Sequence, residues 1–578
     1  MKRLRTALAL LLCLCMALGT CAAAFAAEQE EDELSSSLDA YIAAHADTTA
    51  GLAVCVFDRT GMLYDNYVGY ADMEKRLPVT EETVFEWGSA SKLLVWVSVM
   101  QLWEQGLLDL DADIRIYLPE GFLHNLRYDK PVTLLDLMNH RAGFQEMITE
   151  IFLPMGEPIP SLEEALKQHE PTQVYEPGTV TAYSNWGTAL AAFIVQRVSG
   201  EDYCDYVHAH IFAPLGMEHT ALAPDLHDNL WVQTQREKLQ CYTAEASLIP
   251  DCRYSIPLYP AGMVTGTLAD FTVFGQALLE ENCPLFSKSE TTQELFKPSF
   301  FYPGTEIPCN CHGFWMEPFA VPVYGHGGNT AGCSSYLLLD RENGLAVTVM
   351  TNQSGESVFN EGLPALVFGA YEADERRDLP KGVYRSSRTY LQGPLKLHSV
   401  LALKLFSQED LKHFWVPSDE DANQVYFPYG TLLKQSPFTV AGELLLLLSW
   451  ALAALYSAGY LLSWPIGALH RRLRGLALKE DPHRALRRWI AAAPLTAVAL
   501  VAFAVLQIFQ FSPLQYYKWC FIGAFLLMLL IPVPLILLLK KPKAGSRGAR
   551  ALNVMSLFSL AALEINILYW QIYAFWAL

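Results

Sequence analysis

Apolar residues follow two regimes along the chain. Between about 33 and 372 they come in short runs broken by polar turns, whereas beyond 440 they form four long, nearly uninterrupted stretches. In the first regime, GLAVCVFD from Gly51 and MLYDNYVGYAD from Met62 read as a strand pair across the turn Arg59-Thr60-Gly61. Far along the chain, CSSYLLLD and LAVTVMTN read as two more strands joined by Arg341-Glu342-Asn343-Gly344. Between them the pattern predicts helices over 93–105, 133–139, 161–168 and 184–198. The first is apolar almost all round, hence buried, and closes at Gly106. Strands at both ends with helices between predict an α+β unit over 33–372, one antiparallel sheet flanked by helices. The piece after it, 380–440, spaces Tyr and Phe among polar residues and is expected to be a small β-rich linker module.

The second regime, 441–578, predicts an all-α region of four membrane-spanning helices. The apolar stretches run over about 443–464, 489–511, 519–539 and 552–576, each long enough for the roughly 20 residues a helix needs to cross a bilayer. The connection 470–488 carries seven Lys or Arg, 540–550 carries five, and the link near 512–518 carries one. The positive-inside bias puts the two basic loops in the cytoplasm, so the first span enters from outside and everything before it lies outside. Residues 1–26 agree: basic MKRLR, an apolar run over 7–18 and the small residues Ala24-Phe25-Ala26 form a secretory signal with cleavage after Ala26. Cys21 resembles a lipoprotein box, but Thr20 precedes it and lipidation is not expected. Trp450, Trp464, Tyr516, Trp489 and Trp519 lie within or near the span ends, as an aromatic belt would. Polar residues inside the spans are few (Gln507, Gln510, Glu564, Asn566), so the bundle reads as an anchor rather than a pump.

Charge divides the same way. Residues 441–578 hold 13 Lys and Arg against four acids, while 27–440 hold 25 against 57. So acidic an outer part cannot neutralise phosphates, which excludes a nucleic-acid partner. The outer part keeps eight cysteines, an even number that permits disulfides, at irregular spacing. Cys309-Asn310-Cys311-His312 lacks a fourth ligand and the spacing of a zinc site, so no metal and no cofactor are expected.

The chemistry concentrates in three short segments. In FEWGSASKLLVW, Ser89 and Lys92 are three residues apart at the start of the buried helix and share a face. A lysine among Leu93, Leu94, Val95 and Trp96 loses hydration in its charged form, which lowers its pKa towards that of a usable base. The helix start offers unpaired N–H groups to a developing anion, and Ser89 or Ser91 could equally serve as a cap. Tyr183-Ser184-Asn185 opens a second buried helix, and GHGGNTAGCSS reads as a Gly-rich turn, His326-Gly327-Gly328, leading into a strand.

In this order the three resemble the serine hydrolases of the class C β-lactamase and penicillin-binding-protein group, with their Ser-x-x-Lys, Tyr-x-Asn and Lys-Thr-Gly or His-x-Gly elements. The blocks LLDLMNHRAGF, EPGTVTAYSNWGTALAAFIVQRVSG and APLGM look alike too, and the resemblance covers about 35–372. It implies a β-lactamase/transpeptidase-like fold and an acyl-enzyme mechanism. Ser89 would be the nucleophile, Lys92 its base and Tyr183 the proton shuttle to the leaving group. Asn185 would orient the substrate, with His326, Gly327, Gly328 and Asn329 lining the cleft; the N–H groups of Ser89 and Asn329 would form the oxyanion hole. Where the β-lactamases usually carry lysine, this chain has His326, which counts against efficient β-lactam hydrolysis. The expectation is a multi-pass plasma-membrane serine hydrolase facing outward, acting on D-amino-acid peptides, amides or esters. An esterase, or a non-hydrolysing acyl-binding sensor, remains the alternative.

Overall fold

The computed structural model describes residues 33–147, 151–374, 376–477, 481–510, 512–540 and 546–578. The signal-peptide expectation for 1–26 and the lipobox Cys21 lie outside them.

A nine-stranded antiparallel sheet forms the centre of the first unit. Its strands are β1 (Gly51–Asp58), β2 (Met62–Asp72), β3 (Leu77–Pro78), β4 (Phe300–Phe301), β5 (Pro308–Cys311), β6 (Phe314–Pro318), β7 (Pro322–Asn329), β8 (Ser334–Asp340) and β9 (Leu345–Thr351). They lie in the order β4-β5-β6-β7-β8-β9-β1-β2-β3. The two ends of the unit therefore meet: β1 pairs with β9 from Leu52↔Thr351 to Asp58↔Leu345. Alternation sorts β1 into two faces. Leu52, Val54 and Val56 pack with Leu38 and Ile42 of the helix over 33–45 and with Phe359 and Leu363. Ala53, Cys55 and Phe57 face the larger core.

That larger core holds α1 (Lys92–Glu104), α2 (Asn185–Ser199) and α3 (Leu268–Leu279). From Lys92 to Leu102 every side chain of α1 is buried, so the helix has no solvent face. Three of the expected helices open with side-chain caps, whereas neither Ser89 nor Ser91 caps α1. Ser184 accepts from Gly187 N at 3.0 Å to start α2, and the short helices Leu134–Met138 and Leu162–Gln168 open with capping boxes from Thr133 and Ser161.

The small module is a five-stranded antiparallel sheet of β10 (Val383–Ser386), β11 (Leu403–Leu405), β12 (Val416–Pro417), β13 (Gln424–Phe427) and β14 (Gly430–Lys434), ordered β11-β10-β14-β13-β12. It is stitched to the first unit at Thr181: Thr431 N donates to Thr181 O at 3.0 Å, and Ser387 Oγ donates to the same carbonyl at 2.6 Å.

Four helices follow that are long and apolar enough to cross a membrane: α4 (Pro437–Arg474), α5 (Arg484–Phe509), α6 (Leu514–Leu538) and α7 (Arg547–Tyr569). The first overruns its expected span at both ends. The last starts and stops earlier than 552–576: the chain turns at Gln571, φ 53°, and Phe575 and Trp576 fold back onto Phe525. Phe575 is half-buried there and Trp576 stays exposed, and hydropathy alone cannot distinguish such a turned-back end from a longer helix. Arg385 of β10 meets Glu443 of α4 at 2.5 Å, joining module and bundle.

Candidate active site

Ser89 lies on a single 3-10 turn, Gly88–Ser91, immediately before α1. The turn is pinned from three directions. Trp87 N donates to Val264 O at 2.7 Å, Ser335 Oγ of β8 donates to Trp87 O at 2.7 Å, and Val264 N donates to Ser91 Oγ at 3.2 Å. Gly88 sits at φ +52°, and a Cβ there would come within 2.8 Å of Asn329 N. A Cβ on Gly328 would come within 1.9 Å of Trp87 O. The glycines of GHGGN are thus not a turn before the strand. They lie inside β7, where the absence of side chains lets the Ser89 turn rest against the strand.

Lys92 is fully buried and points back along α1 to this turn. Its Nζ is 3.0 Å from Ser89 Oγ and 2.6 Å from Ala261 O. Burial holds its pKa well below the ordinary lysine value, and the Arg388 charge adds to the depression. Tyr183, just before α2, stands beside the Ser89 turn; burial raises its pKa, so it stays a phenol. The ring centroid of Tyr183 is 5.0 Å from Lys92 Nζ. One hydroxyl is therefore flanked by a neutral-leaning amine and a protonated phenol.

The remaining expected residues divide. Asn185 and Asn329 join Ser89 in lining a narrow cleft, with Thr330, Ile151, Phe152, Ile256 and Leu258. His326 does not line it. It is 1 % exposed, because Tyr429 of the small module packs 5.9 Å from its ring and closes that side. Its Nδ1 lies 2.5 Å from Gly327 O, and burial, with Lys92 nearby, pushes its pKa down to about 3. It is a neutral imidazole, protonated on Nδ1. Gly327 and Gly328 pair with Tyr336 and Ser335, Gly328 buried against the Trp87 carbonyl.

A family model described as Beta-lactamase matches residues 38–371. The chain belongs to the β-lactamase family. With it comes membership of the serine hydrolases. Penicillin-binding protein 4* of Bacillus subtilis is 24 % identical over 339 residues, covering 54 % of this chain and 72 % of that protein. The D-aminopeptidase of Gluconobacter oxydans is 26 % identical over 376 residues, 62 % and 67 % of the two chains. Among solved structures, D-amino acid amidase from Ochrobactrum anthropi SV3 superposes with a TM-score of 0.48 at 24 % identity, over 58 % of this chain and 97 % of that one.

Around this β-lactamase-family centre stand residues that sequence reasoning did not single out. His140, at φ 53°, accepts from Ser184 N at 3.1 Å and lies 4.3 Å from the Tyr183 ring, stacked on Trp315. Its block was recognised, but nothing in it marked this histidine as the support of Tyr183. Tyr429 donates to the buried Glu317, and Arg388 pairs with Glu146 over Tyr183. Both come from the module beyond the family match, where no local pattern signals them. Among the described residues the cysteines are free, Cys309 and Cys311 buried on β5. A different group, Cys204, His208 and Asp228, gathers its ligand atoms within 4.8 Å. Hydrogen bonds already join it, His208 Nε2 to Asp228 Oδ2 at 2.8 Å and Cys204 Sγ to the same oxygen at 3.5 Å.

Proposed function

We propose that the chain is a membrane-anchored, outward-facing serine hydrolase working through Ser89, Lys92 and Tyr183 on D-amino-acid peptides or related amides. The observation that carries this reading is the cluster itself: Lys92 Nζ 3.0 Å from Ser89 Oγ, with the Tyr183 ring centroid 5.0 Å from the same amine. The Lys92 amine takes the serine proton as Oγ forms its bond to the substrate carbonyl carbon. Charge develops on the carbonyl oxygen facing the Ser89 and Asn329 N–H groups. As the bond to the leaving group breaks, the Tyr183 phenol gives that group a proton and is reprotonated through Lys92. Water then attacks the acyl carbon and passes its proton to Lys92, which returns a proton to Ser89 Oγ as the C–Oγ bond breaks and the acid is released. Asn185, beside Ser89 in the cleft, orients the substrate amide. Glycine-lined β7 lets an extended substrate approach; His326, being neutral and covered, supplies no cation to it. The peptide reading agrees with relatives named as a penicillin-binding protein and a D-aminopeptidase.

The anchoring reading draws on the four apolar helices and on the basic loops at 470–488 and 540–550, with a cleaved signal over 1–26. The apolar lining of the cleft by Ile151, Phe152, Ile256 and Leu258 favours a second reading, an esterase with an apolar acyl group.

Full-length protein in nanodiscs, incubated with a fluorescent penicillin and with a fluorophosphonate, separates these by intact mass over time. A penicillin adduct that clears in minutes supports the peptidase. Labelling by fluorophosphonate alone supports the esterase. An adduct that persists supports an acyl-binding sensor or a slow carboxypeptidase, and no adduct with either probe overturns the catalytic assignment.

A further inference from the structure

The family match ends at residue 371, but the walls of the site do not. The module segment 387–392 runs directly over the loop that follows the helix Leu134–Met138. Glu146 N donates to Thr389 O at 3.2 Å, and Gln145 Oε1 accepts from Leu391 N and Gln392 N at 3.1 and 3.0 Å. Arg388 is held in the middle of this seam. Its N–H donates to Ser386 Oγ at 3.2 Å, and its Nε donates to Oε2 of Glu146, a side chain 8 % exposed whose other oxygen accepts from Met147 N at 3.0 Å. The guanidinium carbon lies 4.9 Å from the centroid of the Tyr183 ring. The side chain nevertheless remains 42 % exposed, and its two Nη groups have no hydrogen-bond partner among the described residues. One edge of the guanidinium is therefore anchored while, among the described residues, the other donors are unclaimed, an arrangement that suits a planar carboxylate.

Among the described residues the site shows no other cation that substrate could reach. Lys92 is fully buried and committed to Ser89 and Ala261, and a neutral His326 stands where related β-lactamases place lysine. We infer that Arg388, supplied by the small β-rich module, binds a carboxylate carried on the leaving-group side of the substrate. The leaving-group side follows from Tyr183, the ring under Arg388 and the residue proposed above to protonate the leaving group; the inference rests on that reading. The module is then part of the active site and not a spacer, and the preferred leaving group is an amino acid or hydroxy acid with its own free carboxylate.

Two thioesters test this directly: benzoylglycyl-thioglycolate and benzoylglycyl-thioglycolamide, which share the acyl group and the scissile bond and differ only in the leaving-group charge. Acylation of Ser89 forms the Oγ–C bond, breaks C–S and releases the protonated thiol. Its rate is read by intact mass on the full-length protein. Wild type is expected to favour the carboxylate by about tenfold or more, the size of a charged hydrogen-bond pair. Arg388→Gln should bring that ratio close to one, and Arg388→Lys, which keeps charge without the fork, should fall between. Reading a ratio makes the result independent of any general loss of activity, and thermal unfolding of each variant checks that it is folded. A wild-type ratio near one, or an unchanged ratio in Arg388→Gln, overturns the inference. Failure of fluorophosphonate and both thioesters to label wild-type Ser89 would instead remove the hydrolase reading on which it rests.

Discussion

Lys92 Nζ stands 3.0 Å from Ser89 Oγ, and its second partner is a backbone carbonyl, Ala261 O at 2.6 Å. A carbonyl accepts a proton donor but adds no full negative charge that would hold the ammonium form. Lys92→Ala is therefore expected to slow acylation of Ser89 by about a thousandfold, within the range for loss of a general base. Lys92→Arg should be no better, because a guanidinium cannot give up its proton in a protein. Fluorophosphonate labelling rates measure both; an arginine variant retaining near-wild-type rate would show that position 92 needs only charge.

The pH profile follows from the same burial. The base form of Lys92 must be present for attack, so the acylation rate should rise with pH through a midpoint well below the ordinary lysine value. Arg388 contributes to that depression. Replacing it by glutamine removes a positive charge, lets the amine keep its proton to higher pH, and should move the rising limb towards alkaline pH. A limb that stays fixed, or moves to lower pH, would separate Arg388 from Lys92 electrostatically. Tyr183 adds no falling limb near neutrality, since burial raises its pKa.

The contact between β7 and the nucleophile's turn makes Gly328→Ala informative. The new Cβ would need the space of Trp87 O, 1.9 Å away, and both partners are backbone. Overpacking of this kind costs about 1–3 kcal/mol, so denaturant unfolding should show that loss together with slower acylation. Gly61→Ala is the control for a glycine with nothing within 4 Å, although its φ of +158° is itself unusual for alanine.

How much of this was legible beforehand depends on the range of the interaction involved. Caps are local, so Thr133, Ser161 and Ser184 marked their helices to within a residue. The apolar run GLAVCVFD, closed by the turn Arg59-Thr60-Gly61, marked a strand, and both of its faces are buried. Ser89, Lys92 and Tyr183 were visible because each sits at a helix start with a recognisable pattern. GHGGN looked like a turn because glycine usually marks one; its glycines instead make room between strand and turn, a tertiary requirement. Arg388 and Tyr429 carry no local signal at all. They reach the site only because Gly430 bridges Ala182 and Thr431 bonds Thr181, pairings more than 240 residues apart in the chain. The covering of His326 could not have been read without them.

Stability outside the site should hinge on Glu86. Arg236 donates to its Oε1 from Nε at 2.9 Å and Nη2 at 2.7 Å, Tyr254 donates to the other oxygen, and both charged side chains are buried. Glu86→Gln leaves a buried guanidinium without its counter-charge and should cost about 3–5 kcal/mol. Chemical denaturation of the full-length chain checks this, and Glu86→Gln with Arg236→Met should recover part of the loss. Equal stability of single and double variants would show that the pair is not coupled.

The most direct measurement is intact mass of wild-type, Ser89→Ala and Tyr183→Phe proteins, full length in nanodiscs, after exposure to a fluorophosphonate. The account expects one adduct on wild type, mapped to the peptide containing Ser89, none on Ser89→Ala, and slower labelling of Tyr183→Phe. An adduct that persists in Ser89→Ala, or a folded wild type that takes no label, would contradict it.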